Sequence, residues 1–184
     1  MPYPGHAGAT PARGRLRPFG GFAAGYRSVM LRGLFYGAAA GAAGTTALNA
    51  VTYADMTMRG RAPSSTPERT VETIAQRLGR RVPGEGEAHE HRLTGLGALS
   101  GIATGVVVGA AVGCLRAIGV RPPALIGTVL VGAAAMAASD VPLARLGVSD
   151  PRTWSATDWI SDVVPHLAYG AVTWLSLRAL ARRS

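Results

Sequence analysis

The chain has no lysine, one cysteine and ten acidic residues, and each shortage excludes something. Cys114 alone rules out an intrachain disulfide, and it lies in an apolar stretch where a thiol acts as a small inert side chain. The net charge of +9 rests on arginine alone. A basic chain can signal nucleic acid. Here the arginines sit in terminal tails and in loops between apolar blocks, which is the pattern of membrane topology. The expected partners are therefore membrane lipids and not nucleic acid. Enzyme motifs are missing too. There is no P-loop, no HExxH and no cysteine pair. Ser100-Gly101 follows Ala98-Leu99, which is not the GxSG pattern of an intramembrane serine protease. His166 has no second deep histidine to share a haem. No metal, cofactor or catalytic residue is expected, and the chain reads as non-enzymatic.

What the sequence does have is apolar runs. The one around which the rest is organised covers residues 93–115, with no charge over the length a helix needs to cross a bilayer. Gly97, Gly101, Gly105, Gly109 and Gly113 recur at every fourth position, a nearly continuous stripe on a helix. In water each glycine costs about 1 kcal/mol against alanine. In lipid the helix is enforced, because an open backbone has no partner, and a smooth stripe admits a second helix closely. The first apolar run, 29–54, carries a matching stripe, Gly33, Gly37 and Gly41, then Thr45 and Asn49. It is the natural partner of the stripe in 93–115. Arg32 can snorkel to the near interface.

The rest of the chain follows from these two runs. Residues 1–28, rich in Pro, Gly, Ala and Arg without an acid, read as a flexible basic tail, and no signal cleavage is expected. Residues 55–92 read as a polar connection. Within it Thr66-Pro67 starts a short amphipathic helix over 67–78, with Val71, Ile74, Ala75 and Leu78 on one face and Gly79 as its stop. Glu85 to His91 reads as a solvated acidic linker. A third run covers 123–141, beginning after Pro122-Pro123 and ending at Asp140-Val141-Pro142. A fourth covers 157–181, with Ser155 and Asp158 spaced as a capping box and Trp159 as an interface anchor. The fold class is thus all-α: a four-span membrane bundle over 29–184, with spans at 29–54, 93–116, 123–141 and 157–181 and a surface helix in the first loop. With the adjoining helix ends, the tails and second loop carry ten arginines and no acid, against nine arginines in the first and third loops with theirs. The counts barely differ, but the tails are basic close to the spans while the first loop's arginines are spread over a long connection, which puts both termini in the cytoplasm. Gly37-Ala-Ala-Ala echoes Gly132-Ala-Ala-Ala, and His91-x-x-x-Gly95 echoes His166-x-x-x-Gly170. Such matches fit two related hairpins, though alanine-rich spans also produce them without common origin.

Chemistry, if any, belongs to the fourth span. Asp158, Asp162, His166 and Gly170 share one helical face. A charged Asp within a span costs about 2.5–3.5 kcal/mol on insertion scales. Pro165 frees the carbonyl of Ser161 and loosens the turn between the two polar residues. The antiparallel topology puts Asn49, Asp140, Asp162, His166 and Tyr169 forward as one polar site, with Asn49, Asp140, Asp162 and His166 in the outer half and His91 at the mouth of the second span. Two readings stand. One is an open vestibule for a proton or small cation. That would make the chain a transporter, needing a homo-oligomer because one four-helix bundle leaves little room for a pore. The other is a packing clamp in which Asp162 and His166 satisfy each other and Asn49 bonds across helices.

These features together resemble small bacterial four-span proteins of unknown function, the YagU-like inner-membrane proteins. The resembling parts are the Gly/Ala/Thr first span, Thr66-Pro67-Glu68-Arg69, and His166-Leu-Ala-Tyr169-Gly170. The resemblance implies a bacterial inner-membrane location and a link to acid tolerance, with no established activity.

Overall fold

A computed structural model describes residues 20–182. These residues form five α-helices and one 3₁₀ turn, with no strand among them. The helices are α1 (Gly20–Arg59), α2 (Thr66–Arg77), α3 (Glu87–Ala117), α4 (Ala124–Leu146) and α5 (Ala156–Leu180). The fold is all-helical, as the periodicity implied. Of the tail expected over 1–28, residues 1–19 lie outside the described residues. Residues 20–28 are the start of α1. The stretch 22–34 holds no proline, and its two glycines do not outweigh an otherwise helix-tolerant sequence, so the helix of the first run extends backward.

Local chemistry explains most of the boundaries. Pro67 sits in the first turn of α2, where its missing N–H costs nothing. Gly79 takes φ +66 just past its end, and its N–H bonds Gln76 O while that of Arg80 bonds Ala75 O. The Ser155–Asp158 capping box that starts α5 is present in both directions. Three further boundaries differ from expectation, the first being the end of α1, which runs five residues into the supposed connection to Arg59 because Asp55 and Arg59 pair one turn apart. α3 begins at Glu87, inside the supposed linker, because Glu87 and Glu90 suit the positive end of a helix. His89 Nδ1 contacts Val82 O at 3.2 Å, and Arg92 donates to Pro83 O at 3.0 Å, tying that first turn to the preceding loop. α4 continues through Pro142 to Leu146. Pro142 removes one hydrogen bond near the end of the helix but does not stop it, and Gly147 at φ +73 does.

α1 is the central element. It packs along α3 on one side and α5 on the other; α4 lies mainly on α5, and α2 lies across the start of α3. Tyr169, Trp174, Val131 and Ala135 form the core, with Leu48, Val108 and Val112 against them. The α1–α3 seam is built on glycine. A Cβ on Gly33 would fall 2.8 Å from the carbonyl oxygen of Gly113, and one on Gly37 would fall 2.9 Å from Ala110 Cα. One on Gly41 would fall 2.9 Å from Gly109 Cα. Gly105 faces the hydroxyl of Thr45. Two members of the longer stripe lie elsewhere. Gly97 is covered by Pro67 of α2, and Gly101 faces open space. The reason is geometric: a four-residue repeat advances past a full turn at every step, so the stripe rotates off a straight neighbour. Gly101 is therefore not a helix-packing residue.

The amphipathic face of α2 is only partly covered. Val71 and Ala75 are half-buried, but Ile74 is 44% exposed and Leu78, just beyond the helix, 70%.

Candidate functional site

The polar residues of α4 and α5 meet near one end of the bundle. Asp162 and His166 are one turn apart on α5. His166 Nδ1 lies 2.8 Å from the Asp162 carbonyl oxygen and 3.3 Å from its Oδ1. With Nδ1 as the donor, the imidazole bridges the backbone and side chain of one residue. Pro165, buried between them, has no N–H for the carbonyl of Ser161, so this turn is held by side chains as much as by the ladder. Asp140 of α4 lies beside Asp162 and within electrostatic range of His166. Ser139 donates to Asp140 Oδ1 at 3.2 Å. The His166 and Asp162 side chains are 13% and 23% exposed, and Asp162 Oδ2 is buried with no donor to meet it among the described residues other than the neighbouring Asp140 carboxyl when that is protonated. Two carboxylates and an imidazole in one place can share and pass a proton among themselves.

Asn49 and Tyr169 are not part of this trio. Asn49 is half-buried on α1, and its amide has no hydrogen bond among the described residues. The bond from Asn49 across helices that a clamp would use is therefore not formed. Tyr169 points the other way. Its hydroxyl donates to Gly105 O at 2.6 Å, and the residue is 1% exposed. Thr173 donates to Ala40 O at 3.4 Å, and Thr45 to Gly41 O at 2.9 Å. These form a polar seam among α1, α3 and α5, where hydroxyls dock against glycine-opened backbone. His91 is exposed in the first turns of α3. The echo is thus uneven: Gly37 and Gly132 each seat a neighbouring backbone, but Gly95 faces open space while Gly170 is buried against Thr128 and Gly132.

Sequence reasoning passed over three features. The first is the second glycine seam just described, Gly132 and Gly170 between α4 and α5. The second is a charged knot beyond the end of the first apolar run. Asp55 accepts from Arg59 at 2.5 Å and Arg61 at 2.6 Å, and Arg59 also donates to Ser161 of α5 at 2.5 Å. The hydrogen bonds from Arg59 and then Arg61 hold the Asp55 carboxyl down at about 2. The i,i+4 spacing of Asp55 and Arg59 was the available signal. The third is the Arg116 guanidinium, 5.2 Å over the ring of Trp174, which no local pattern announces. Among the described residues no group of three or more His, Cys, Asp or Glu has the arrangement of a metal site. No protein-family model matches the chain, and neither a curated protein nor a solved structure does.

Proposed function

We propose that this chain is a non-enzymatic integral membrane protein of the bacterial inner membrane, YagU-like in pattern. In this reading α1, α3, α4 and α5 all span, with both termini in the cytoplasm, and the role is in envelope or acid-stress physiology. One observation carries the membrane part. α3 and α4 are long and apolar enough to cross a bilayer, yet only 17% and 28% of their most apolar windows are buried. The core helix of a water-soluble protein passes the same length test but hides its apolar surface. Here Leu99 is 62% exposed, Val107 66%, Leu125 76% and Leu130 57%. So much contiguous apolar surface calls for an apolar solvent or a partner.

α1 and α5 are less apolar, α1 through its glycines and Asn49 and α5 through Asp162, Pro165 and His166. Their packing supports the same assignment. The glycine seam runs antiparallel from Gly33/Gly113 to Gly41/Gly105. Any slab that holds the apolar part of α3 therefore holds this part of α1. The uncharged stretch 33–54 reaches about 33 Å as a helix, matching a hydrocarbon core of about 30 Å. The test is alkaline carbonate extraction of expressing membranes. The protein should stay in the pellet, and release into the supernatant would overturn the reading.

A second reading, proton-linked transport, draws on the buried Asp162 carboxyl set beside Asp140 and His166, with no cation besides that imidazole to neutralise the two carboxyls among the described residues. Under it, Asp162→Asn abolishes proton flux in liposomes and leaves melting temperature unchanged. Under the structural reading the parent carries no flux under any gradient, Asp162→Asn is nearly silent, and Asp162→Leu lowers stability by about 1–3 kcal/mol. Flux from the parent that survives in Asp162→Asn would remove this residue from the mechanism.

A further inference from the structure

The opposite end of the bundle gathers arginine without acid. No acidic residue occurs between Glu90 and Asp140 or after Asp162. Arg116 ends α3, Arg121 lies in the turn to α4, and Arg178 is in the last turn of α5. Arg178 lies one turn beyond Trp174 on α5, whose ring Arg116 covers, and Arg121 follows the turn whose Gly119 and Val120 amides bond back to Arg116 O and Leu115 O, so three cations from three segments gather at this end. None of the three has an ion-pair partner among the described residues. Arg116 is held in place rather than free to swing away. Its guanidinium lies over Trp174, which is 2% exposed, and its Nε is buried without a hydrogen-bond partner. Trp174 is fixed in turn by Gly127 of α4, where any Cβ would run into the indole.

Such a cluster costs repulsion and leaves donors unused unless an anion completes it. A guanidinium suits phosphate oxygens, which it can hold with two parallel N–H bonds. The first turn of α4 opens here without a side-chain cap, so its free amides add to the same field. The surrounding surface is apolar: Ile118 is 53% exposed, Val120 48%, Leu125 76% and Ile126 52%. A free phosphate has no use for that rim, whereas acyl chains attached to a phosphate do.

We infer that Arg116, Arg121 and Arg178 form a binding site for the phosphodiester headgroup of an anionic phospholipid, with its acyl chains along the apolar surface at the start of α4. This rests on the membrane reading above. It places the arginine end in the leaflet that carries negative lipid.

The test reconstitutes the full chain in nanodiscs of phosphatidylcholine alone and of phosphatidylcholine with graded phosphatidylglycerol, and follows thermal unfolding. Phosphatidylglycerol should raise the unfolding temperature saturably. Arg121→Gln, which leaves the Arg116–Trp174 contact in place, should shift the half-saturating lipid fraction upward by about tenfold. Arg116→Gln should shift it at least as far. Arg145→Gln, at the other end of α4, should leave it unchanged. Equal lipid dependence in all four proteins would overturn the site. An equal gain from inorganic phosphate in phosphatidylcholine discs would overturn the lipid assignment and make the site one for free phosphate. Failure of the parent to enter discs of either composition would instead overturn the membrane reading itself.

Discussion

Tyr169 does more at the residue scale than its place in a candidate polar site implied. Its hydroxyl reaches across to Gly105 O, and its ring fills the space that Gly44 leaves open. Tyr169→Phe keeps the ring and removes the bond, so unfolding should become easier by about 1–2 kcal/mol with the helical content unchanged. An unchanged denaturation midpoint would mean that the hydroxyl contributes nothing. Asp55 makes a prediction about pH. Its folded value, about 2, lies below the ordinary 3.8, so its contribution is complete above the ordinary value and fades as pH falls towards 2. Asp55→Asn should therefore loosen the end of α1 from Ser161 most at neutral pH and flatten its acid dependence, parent and variant converging as pH falls towards 2, with no effect on the trio of α4 and α5. Acid unfolding curves of parent and variant that coincide would contradict this. Asp162 and His166 were legible from their spacing, and the structure puts Asp140 beside them. Asn49 was not, because a helical face predicts which residues share a side but not which neighbour that side meets.

At the element scale the helices owe their positions to where side chains are missing. Gly33, Gly37 and Gly41 let α1 touch α3 backbone to backbone, and Gly132 and Gly170 do the same for α4 and α5. Gly109→Leu should destabilise the bundle severely, since its side chain would enter the α1 backbone at Gly37 and Gly41. Gly101→Leu and Val107→Leu should melt within a few degrees of the parent in detergent, because both positions face outward. Loss of stability in Gly101→Leu equal to that in Gly109→Leu would restore the unbroken stripe. The four-residue repeat was plain in the sequence; its interruption was not, because only the path of the partner helix decides where contact ends. Boundaries followed the same rule. Ser155 and Asp158 announced a helix start through a local bond and were readable. Glu87 to Arg92 looked like linker because their polarity outweighed their helix propensity in a sequence reading, and only the bonds to Val82 and Pro83 tie them down.

On the scale of the whole molecule, polarity is sorted along the long axis and apolar surface is turned outward. All ten acids lie towards the end of the bundle where α3 begins and α4 ends, and among the described residues the opposite end carries arginine and no acid. The lateral surface between them exposes leucine, valine, isoleucine and Phe35 among alanine and glycine. The four-span bundle proposed above would account for both facts at once. The direct test is single-cysteine accessibility in intact cells, with Cys114→Ala as the background. Cysteines at Glu87 and Ser149 should react with an impermeant maleimide. Those at Gly119 and Thr104 should not, and Gly119 should become reactive once the membrane is opened. Labelling at Gly119 in place of Glu87 and Ser149 would reverse the orientation, and labelling of Thr104 by the impermeant reagent would contradict the spanning bundle.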